Sequence, residues 1–109
     1  MITIKRGGKA LFQAREAKSL FSRAFGIMFS KDFSPLLFDM HSQAKHSFHS
    51  FFCPRFEAVF LDASKKVVGI SKIISPQFFS CKREFSYVLE LPVDWRSKHG
   101  IKEGQFMSW

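Results

Sequence analysis

The N-terminal residues alternate between apolar and polar positions and then reach a pair of glycines. Ile2 and Ile4 alternate with polar neighbours, and Gly7 and Gly8 follow them. A period of two is typical of a strand with one buried face, and two glycines can adopt the positive φ angles of a tight hairpin turn. The pattern therefore predicts a first strand that turns back into a second strand over residues 10–13.

The apolar period lengthens in the next segment. Apolar residues recur there at intervals of three and four, and the intervening positions are mostly basic or polar. This spacing predicts an amphipathic helix near the N-terminus, with Gly26 ending or distorting it. The apolar stripe consists of Ala17, Leu20, Phe21, Ala24, Phe25 and Met28.

Residues 46–70, with the sequence HSFHSFFCPRFEAVFLDASKKVVGI, contain three short apolar runs. Residues 49–53 form the first run, and Pro54 separates it from the second, over residues 56–61. A turn segment of five mostly polar residues, 62–66, follows before the third run begins at Val67. The pattern predicts a hairpin with a strand before it, and it places Pro54 at a bulge, at a corner or between two strands, because proline cannot donate to a sheet ladder.

The remaining segments add strands and short turns. The sequence predicts strands over residues 36–40, 85–91 and 105–109, a loop over 41–47, a turn-like segment over 77–84, and a helical turn within 93–100. The predicted architecture is mainly β.

Composition is consistent with one folded domain over residues 1–109. The chain is 46% hydrophobic and 24% charged, which is typical of globular proteins. It contains 15 phenylalanines, more than a small core is expected to hold. Phe78 and Phe79 are therefore candidates to line a pocket or a partner surface.

Positive charge is concentrated in the first third of the chain. Residues 1–31 contain seven basic side chains and one acidic side chain, whereas the rest of the chain has a net charge of only +2. Such a segment can attract phosphates or an acidic partner, but it can equally be a solvated surface that keeps the protein soluble. The candidate basic surface consists of Lys5, Arg6, Lys9, Arg15, Lys18 and Arg23.

The sequence predicts a cytoplasmic protein. Lys5, Arg6 and Lys9 interrupt the apolar stretch that a signal peptide requires, and no segment has the roughly 18 uninterrupted apolar residues of a membrane span. In a reducing compartment, Cys53 and Cys81 are expected to be free and packed rather than paired, although their even number leaves pairing open.

Three groups of residues occur in an order that resembles a known family. They are Phe25-Gly26-Ile27-Met28-Phe29, then His49-Ser50-Phe51-Phe52 with Phe60-Leu61-Asp62, and finally Tyr87-Val88-Leu89-Glu90-Leu91-Pro92 followed by Gly100-Ile101-Lys102-Glu103-Gly104. From about residue 17 to the C-terminus, the chain resembles the domain-of-unknown-function family one hundred and ninety-two, a family of small uncharacterised prokaryotic proteins.

The resemblance implies a mainly β fold, a single-domain sandwich or jelly-roll-like barrel with one short helix near the N-terminus. It also implies that the second strand extends to about Ala17 and that the helix begins near Ser19. It implies no reaction, because the family is uncharacterised. The chain departs from the family pattern at Cys53 (often Met), Glu57 (usually Asp), Asp94 (commonly Gly) and Gln105 (Asp).

The residues suggest several kinds of chemistry but require none of them. Histidines near Cys53 could hold a metal, yet their spacing matches no standard zinc pattern, and a base beside Cys53 could activate the thiol. Basic residues and aromatic rings could bind nucleic acid. We expect instead a non-enzymatic module, without a cofactor, that binds a small ligand or a protein partner. Its candidate site is His49, Cys53, Arg55 and Glu57.

Overall fold

A computed structural model describes residues 1–17, 35–44, 47–49, 55–73 and 78–109. The described residues form eight strands and one short helix. The elements are β1 (Ile2–Arg6), β2 (Lys9–Ala17), β3 (Leu36–Ala44), β4 (Ser47–His49), β5 (Phe56–Leu61), β6 (Val67–Ile73), β7 (Phe78–Ser80), β8 (Phe85–Pro92) and α1 (Trp95–Lys98). The prediction of a mainly β protein is confirmed, whereas a closed sandwich or jelly-roll barrel and the single-domain boundary stay predictions.

Six of the strands form one mixed sheet in the order β1-β2-β3-β8-β5-β6. Only β2 and β3 pair in parallel among these neighbours, and the other pairs are antiparallel. The remaining strands, β4 and β7, pair with each other in a separate two-stranded sheet. The centre of the large sheet is therefore the antiparallel pair of β8 and β5.

The two central strands are buried on both faces, which explains their nearly continuous apolar sequences. Every residue of β5 is buried. Phe56, Ala58 and Phe60 point to one face of the sheet and pack in one core cluster, while Val59 and Leu61 belong to a second cluster on the other face. Alternation along a strand sends successive side chains to opposite faces, so this sheet separates two apolar layers.

The predicted hairpins are confirmed. Gly7 and Gly8 have φ angles of 58° and 78°, so the β1–β2 turn uses a conformation that residues with a Cβ rarely adopt. In the β5–β6 turn, the Asp62 carboxylate accepts hydrogen bonds from the backbone N–H groups of Ser64, at 2.9 Å, and Lys66, at 3.0 Å. Aspartate favours such turns because its side chain bonds to the backbone shortly after it.

The C-terminal residues link the two outer strands of the large sheet. Lys5 in β1 exchanges two backbone hydrogen bonds with Ser108, of 2.8 and 2.9 Å, while Val67 in β6 donates to the carbonyl of Gln105. The Trp109 ring packs edge-on against Tyr87 and lies beneath the Lys65 ammonium group, 4.3 Å from its ring centre. The predicted strand over residues 105–109 is thus two isolated bridges rather than a regular strand.

Two of the predicted connections are wrong. The polar residues 41–44, predicted as part of a loop, continue β3, and Ser47 begins β4. The register of β3 on β8 shifts between Asp39 and Ala44, and His41 has a φ of 59° while its N–H bonds to the Asp39 carboxylate. Pairing with β8 at Asp39 and again at Ala44 therefore keeps this segment within β3 despite the irregularity at His41. Phe78 and Phe79 likewise lie in β7 rather than in a turn.

Other predictions are met or fall outside the described residues. β2 does extend to Ala17, and the helical turn is confirmed as α1. The predicted N-terminal helix lies, beyond Ala17, outside the described residues, as does the first apolar run after His49. No helix within the described part of the chain is long and apolar enough to cross a membrane.

We predict that Arg6→Leu destabilises the fold by about 1 to 3 kcal/mol. The half-buried Arg6 guanidinium donates to the carbonyls of His99 and Gly100, at 2.8 and 3.0 Å, and so ties β1 to the loop after α1. Its loss leaves these carbonyls without that donor. Urea denaturation monitored by circular dichroism measures the change, with Lys9→Leu at the exposed start of β2 as the matched control. Equal midpoints for the two variants would contradict the prediction.

Candidate functional site

A groove of about 390 Å³ runs beside β6, the last strand of the large sheet. Val68, Ile70 and Ser71 of this strand line it. The C-terminal segment covers the neighbouring part of the β6 edge and ends its contact at Gly104, whose N–H donates to the carbonyl of Val67 at 2.8 Å. The groove therefore begins where the chain's own segment leaves the edge.

The inner wall of the groove is formed by Phe60, Gly69 and Cys81. A Cβ atom at position 69 would lie 2.6 Å from the Cys81 sulfur, so only glycine leaves room for the thiol. The Cys81 side chain is buried, and its sulfur lies 4.0 Å from the carbonyl oxygen of Val68, the reach of a weak S–H hydrogen bond. Among the described residues, Cys81 is a free cysteine.

The rim of the groove carries charge of predominantly one sign. Lys82 and Arg83 follow Cys81 directly and are exposed, and Glu103 is the acidic residue that lines the groove. Among the described lining residues, two cations and one carboxylate give the rim a net positive charge, on a protein whose formal charge is already +8. Such a rim attracts anionic partners.

Glu90 is a buried carboxyl group one strand further into the sheet. It pairs with Leu36 on one side and Ala58 on the other, and Ala58 pairs with Ser71 in β6. Because adjacent strands are about 4.8 Å apart, the Glu90 backbone lies roughly 10 Å from Ser71 in the groove. Ala58 is the residue that lies between Glu90 and Ser71 in this line of cross-strand neighbours, and its side chain is a single methyl group.

Burial leaves the Glu90 carboxyl without compensation. The residue is 4% exposed, and its Oε2 atom has no hydrogen-bond partner among the residues that the structure describes. Burial disfavours the charged form of a carboxyl group, and it raises the pKa of Glu90 from 4.5 to about 8. At neutral pH the group is therefore a neutral carboxylic acid that can donate as well as accept a hydrogen bond.

The second buried glutamate, Glu57, has partners. Its carboxylate accepts the backbone N–H of Asp94 at 2.8 Å and the Arg96 Nε–H at 3.3 Å. Asp94 has a φ of 76°, in the left-handed region where glycine is favoured, so the carboxylate holds the turn into α1. The Arg96 guanidinium also donates to the carbonyl of Ile101. This arrangement fixes α1 against β5, so the buried Glu57 carboxylate has a structural role.

Three half-exposed rings gather beside α1. Phe12, Trp95 and His99 contact one another with ring-centre separations between 5.0 and 5.6 Å. Partial burial, and then the charges of Lys98 and Arg6, lower the pKa of His99, so its ring is neutral at physiological pH. The three rings form a small aromatic surface on the side of the sheet away from Glu90.

The structure describes two residues of the predicted site in full, Arg55 and Glu57, and for His49 it describes the strand. Arg55 is exposed, whereas Glu57 is buried and pairs with Arg96. His49 lies in β4, and Cys53 lies outside the described residues. Convergence of the four residues therefore stays a prediction. Within the described residues there is no group of three histidine, cysteine, aspartate or glutamate side chains that could hold a metal.

The candidate basic surface is also only partly described. Arg6 is engaged with backbone carbonyls, which makes it a structural residue. Lys5, Lys9 and Arg15 are exposed, while Lys18 and Arg23 lie outside the described residues. A role for this surface in binding stays a prediction.

Sequence reasoning did not single out Glu90, Gly69 or the two rim cations. A signal for Glu90 was present, since a single acidic residue stands in the predicted strand FSYVLEL, next to two leucines. Nothing in the sequence could indicate that Gly69 faces Cys81, because β7 and the residues around it determine where the thiol lies. The groove depends on that contact.

Comparison with known proteins gives a family but no activity. A model of the family DUF192, described as "Uncharacterized ACR", matches residues 2–109. A UPF0127 protein of Pyrococcus furiosus is 24% identical over 112 residues, which cover 100% of this chain and 97% of the relative. A UPF0127 protein of Pyrococcus abyssi is 27% identical over 96 residues, covering 85% of this chain and 82% of the relative.

Two crystal structures share the fold. A protein of unknown function from Novosphingobium aromaticivorans has a TM-score of 0.84 at 18% identity, over 98% of this chain and 82% of that one. A Sinorhizobium meliloti protein, described as a "putative transcription regulator", has a TM-score of 0.83 at 16% identity, over 97% and 89% of the two chains. At these identities the likeness concerns the fold alone.

We predict that Glu90→Gln stabilises the protein and flattens its pH dependence. In the unfolded chain Glu90 ionises near pH 4.5, but in the folded protein it ionises near pH 8. The folded state therefore binds more protons between these values. Stability is fully present below pH 4.5 and falls as the pH rises towards 8, by on the order of 5 kcal/mol in total.

Urea unfolding at pH 5 and pH 8 measures the effect. The wild type should lose more stability than Glu90→Gln between the two conditions, because glutamine keeps the shape but cannot ionise. Glu103→Gln, at an exposed position, is the matched control. A parallel decline in wild type and Glu90→Gln would contradict the burial of an uncompensated carboxyl group.

We predict that Gly69→Ala costs about 1 to 3 kcal/mol, because the new methyl group meets the Cys81 sulfur. In a Cys81→Ala background the same substitution should cost less than half as much, since the obstructing atom is absent. A double-mutant cycle measured by thermal or urea unfolding gives this coupling. Equal costs in the two backgrounds would show that Gly69 and Cys81 do not constrain each other.

Proposed function

The chain belongs to the uncharacterised family DUF192, and from the groove beside β6 we propose that it is a non-enzymatic module that binds an anionic partner there. The observation that supports this function is a groove of ligand size that combines an apolar wall with a cationic rim. Its volume of about 390 Å³ lies within the range of small-ligand pockets, roughly 300 to 1,000 Å³.

The chemistry of the lining favours binding over catalysis. Phe60, Val68 and Ile70 supply apolar contact, and Ser71 supplies a hydroxyl group. Lys82 and Arg83 offer donors for a carboxylate or a phosphate. The groove contains a thiol, but the described part of its lining includes no histidine that could act as its base. An anion held by the rim and covered by the apolar wall is the partner that fits.

Nucleic-acid binding is the second candidate function. The three rings of Phe12, Trp95 and His99 could stack on bases, and Lys98 stands next to them. A structural neighbour bears the description "putative transcription regulator", which is consistent with this function. The groove is favoured because it combines concave shape, apolar wall and charge in one place, whereas the ring cluster is partly packed.

We predict that small dianions bind in the groove. Addition of glutarate or inorganic phosphate to ¹⁵N-labelled protein should shift the amide resonances of Gly69, Cys81 and Lys82 in a saturable manner. The double variant Lys82→Glu/Arg83→Glu should weaken glutarate binding about tenfold, since an exposed ion pair contributes up to about 1 kcal/mol. Lys9→Glu has the same kind of charge reversal away from the groove and is the control.

Two results would contradict groove binding. One is the absence of saturable chemical-shift changes with either anion. The other is an equal loss of binding in Lys9→Glu and in Lys82→Glu/Arg83→Glu, because equal losses would mean that the anion is attracted by the net charge of the protein and not by the groove. A single-stranded oligo(dT) tests the second candidate. Salt-sensitive shifts at Trp95 and His99 with this probe, and none in the groove, would favour nucleic-acid binding.

A further inference from the structure

We propose that the groove receives an extended, acidic segment of a partner protein, which adds to the outer edge of β6 as an extra strand. This inference rests on the proposed function and names the kind of partner. It follows from the backbone along the groove, from the side chains beside it, and from a segment of the chain that already uses the same edge.

The chain's own C-terminal residues show how this edge accepts a strand. Lys66 and Phe106 form an antiparallel bridge. The Val67 N–H donates to the carbonyl of Gln105, the Gly104 N–H donates to the carbonyl of Val67, and the Met107 N–H donates to the carbonyl of Lys65, each at 2.8 to 2.9 Å. An extended segment therefore occupies the start of the edge and departs at Gly104.

The edge continues beyond that point. β6 runs on to Ile73, and within the described residues the backbone of 68–73 forms backbone hydrogen bonds only with β5, while the Val68 carbonyl also lies within reach of the Cys81 thiol. Six extended residues span about 20 Å. Alternate N–H and C=O groups of an outer strand point away from the sheet, and such groups are a template for another strand. The groove lies along this stretch, at residues 68–71.

The side chains beside the edge define the partner. Val68 and Ile70 line the groove and present apolar surface to the incoming strand. Lys72 lies further along β6 and is exposed, and Lys82 and Arg83 stand at the rim, with Glu103 as the opposing charge. Three cations and one anion favour a segment that alternates apolar and acidic residues.

A second copy of this chain does not fit the same edge. Antiparallel pairing of two β6 edges would bring together two strands that each carry Lys72 and two groove rims that each carry Lys82 and Arg83. Each molecule also has a formal charge of +8, so the two copies would repel each other. Lysine on an outer strand opposes this kind of self-association. An acidic partner reverses the sign of the interaction and so is the occupant that the edge admits.

The test uses an acetylated, fluorescein-labelled hexapeptide that alternates glutamate and valine. Fluorescence anisotropy with the full chain measures its dissociation constant. Two further versions are N-methylated, one at the first, third and fifth amides and the other at the second, fourth and sixth. In an added strand only one of these sets faces β6, so one version should lose at least about tenfold in affinity and the other should bind like the parent.

Charge and position have their own controls. Lys82→Glu/Arg83→Glu should weaken binding of the parent peptide about tenfold, whereas Lys9→Glu should leave it nearly unchanged. A hexapeptide that alternates lysine and valine should bind more weakly than the acidic one by a similar factor. Glutarate should compete with the acidic peptide, because both use the rim.

The outcomes separate this inference from the proposed function. If glutarate binds in the groove but both methylated peptides bind like the parent, strand addition is wrong while the anion site stands. If glutarate binds and the acidic peptide does not, the partner is not an extended segment. If neither binds, both proposals are wrong. Selective loss with one methylation pattern, together with loss in the groove variant, supports strand addition.

Discussion

The antiparallel pairing of β5 with β8 is the interaction on which the rest of the structure depends. It sets Phe56 opposite Pro92 and Leu61 opposite Tyr87, and it lies between the neighbours that each strand pairs with on its other side. Because both strands are buried, one residue of slippage would move every side chain to the opposite face. The two core clusters exist only in this register.

The same pairing places two glutamates in very different surroundings. Glu57 sits opposite Leu91 and faces α1, where the Asp94 amide and the Arg96 guanidinium meet its carboxylate. Glu90 sits opposite Ala58 on the other face, among apolar side chains, and its pKa is raised to about 8. Burial of a polar group without a partner costs free energy, so a site of this kind is usually retained for a reason other than stability.

The two outer strands of the large sheet, β1 and β6, are each covered in part by the C-terminal segment. β1 and the start of β6 are both bonded to the C-terminal segment, which removes part of each exposed edge. Past Gly104 the β6 edge borders the groove instead. Gly69 and Cys81 shape the inner wall there, and the residues that follow Cys81 provide its charge. On β6, the part of the edge that the C-terminal segment covers thus adjoins the part that borders the groove, and Gly104 marks the boundary between them.

The sequence by itself determined the local elements that have a strong period. The β5–β6 hairpin, β8 and the first hairpin follow from alternation and from turn residues, because side-chain direction and turn conformation are local properties. It also determined the family, the excess of positive charge and the helical turn at α1. It failed for residues 41–44, which carry no strand signal and whose place in β3 depends on the pairing of Asp39 and Ala44 with β8.

Only the tertiary structure decided the order of the strands and the surroundings of each side chain. Glu90 lies beside Leu36 and Ala58, and Gly69 lies against Cys81, through contacts between segments that are distant in the sequence. No local pattern can specify such contacts, because they arise from pairing register and from the burial that pairing creates. The groove and the neutral carboxyl group follow from these contacts, and the residue types alone do not determine either.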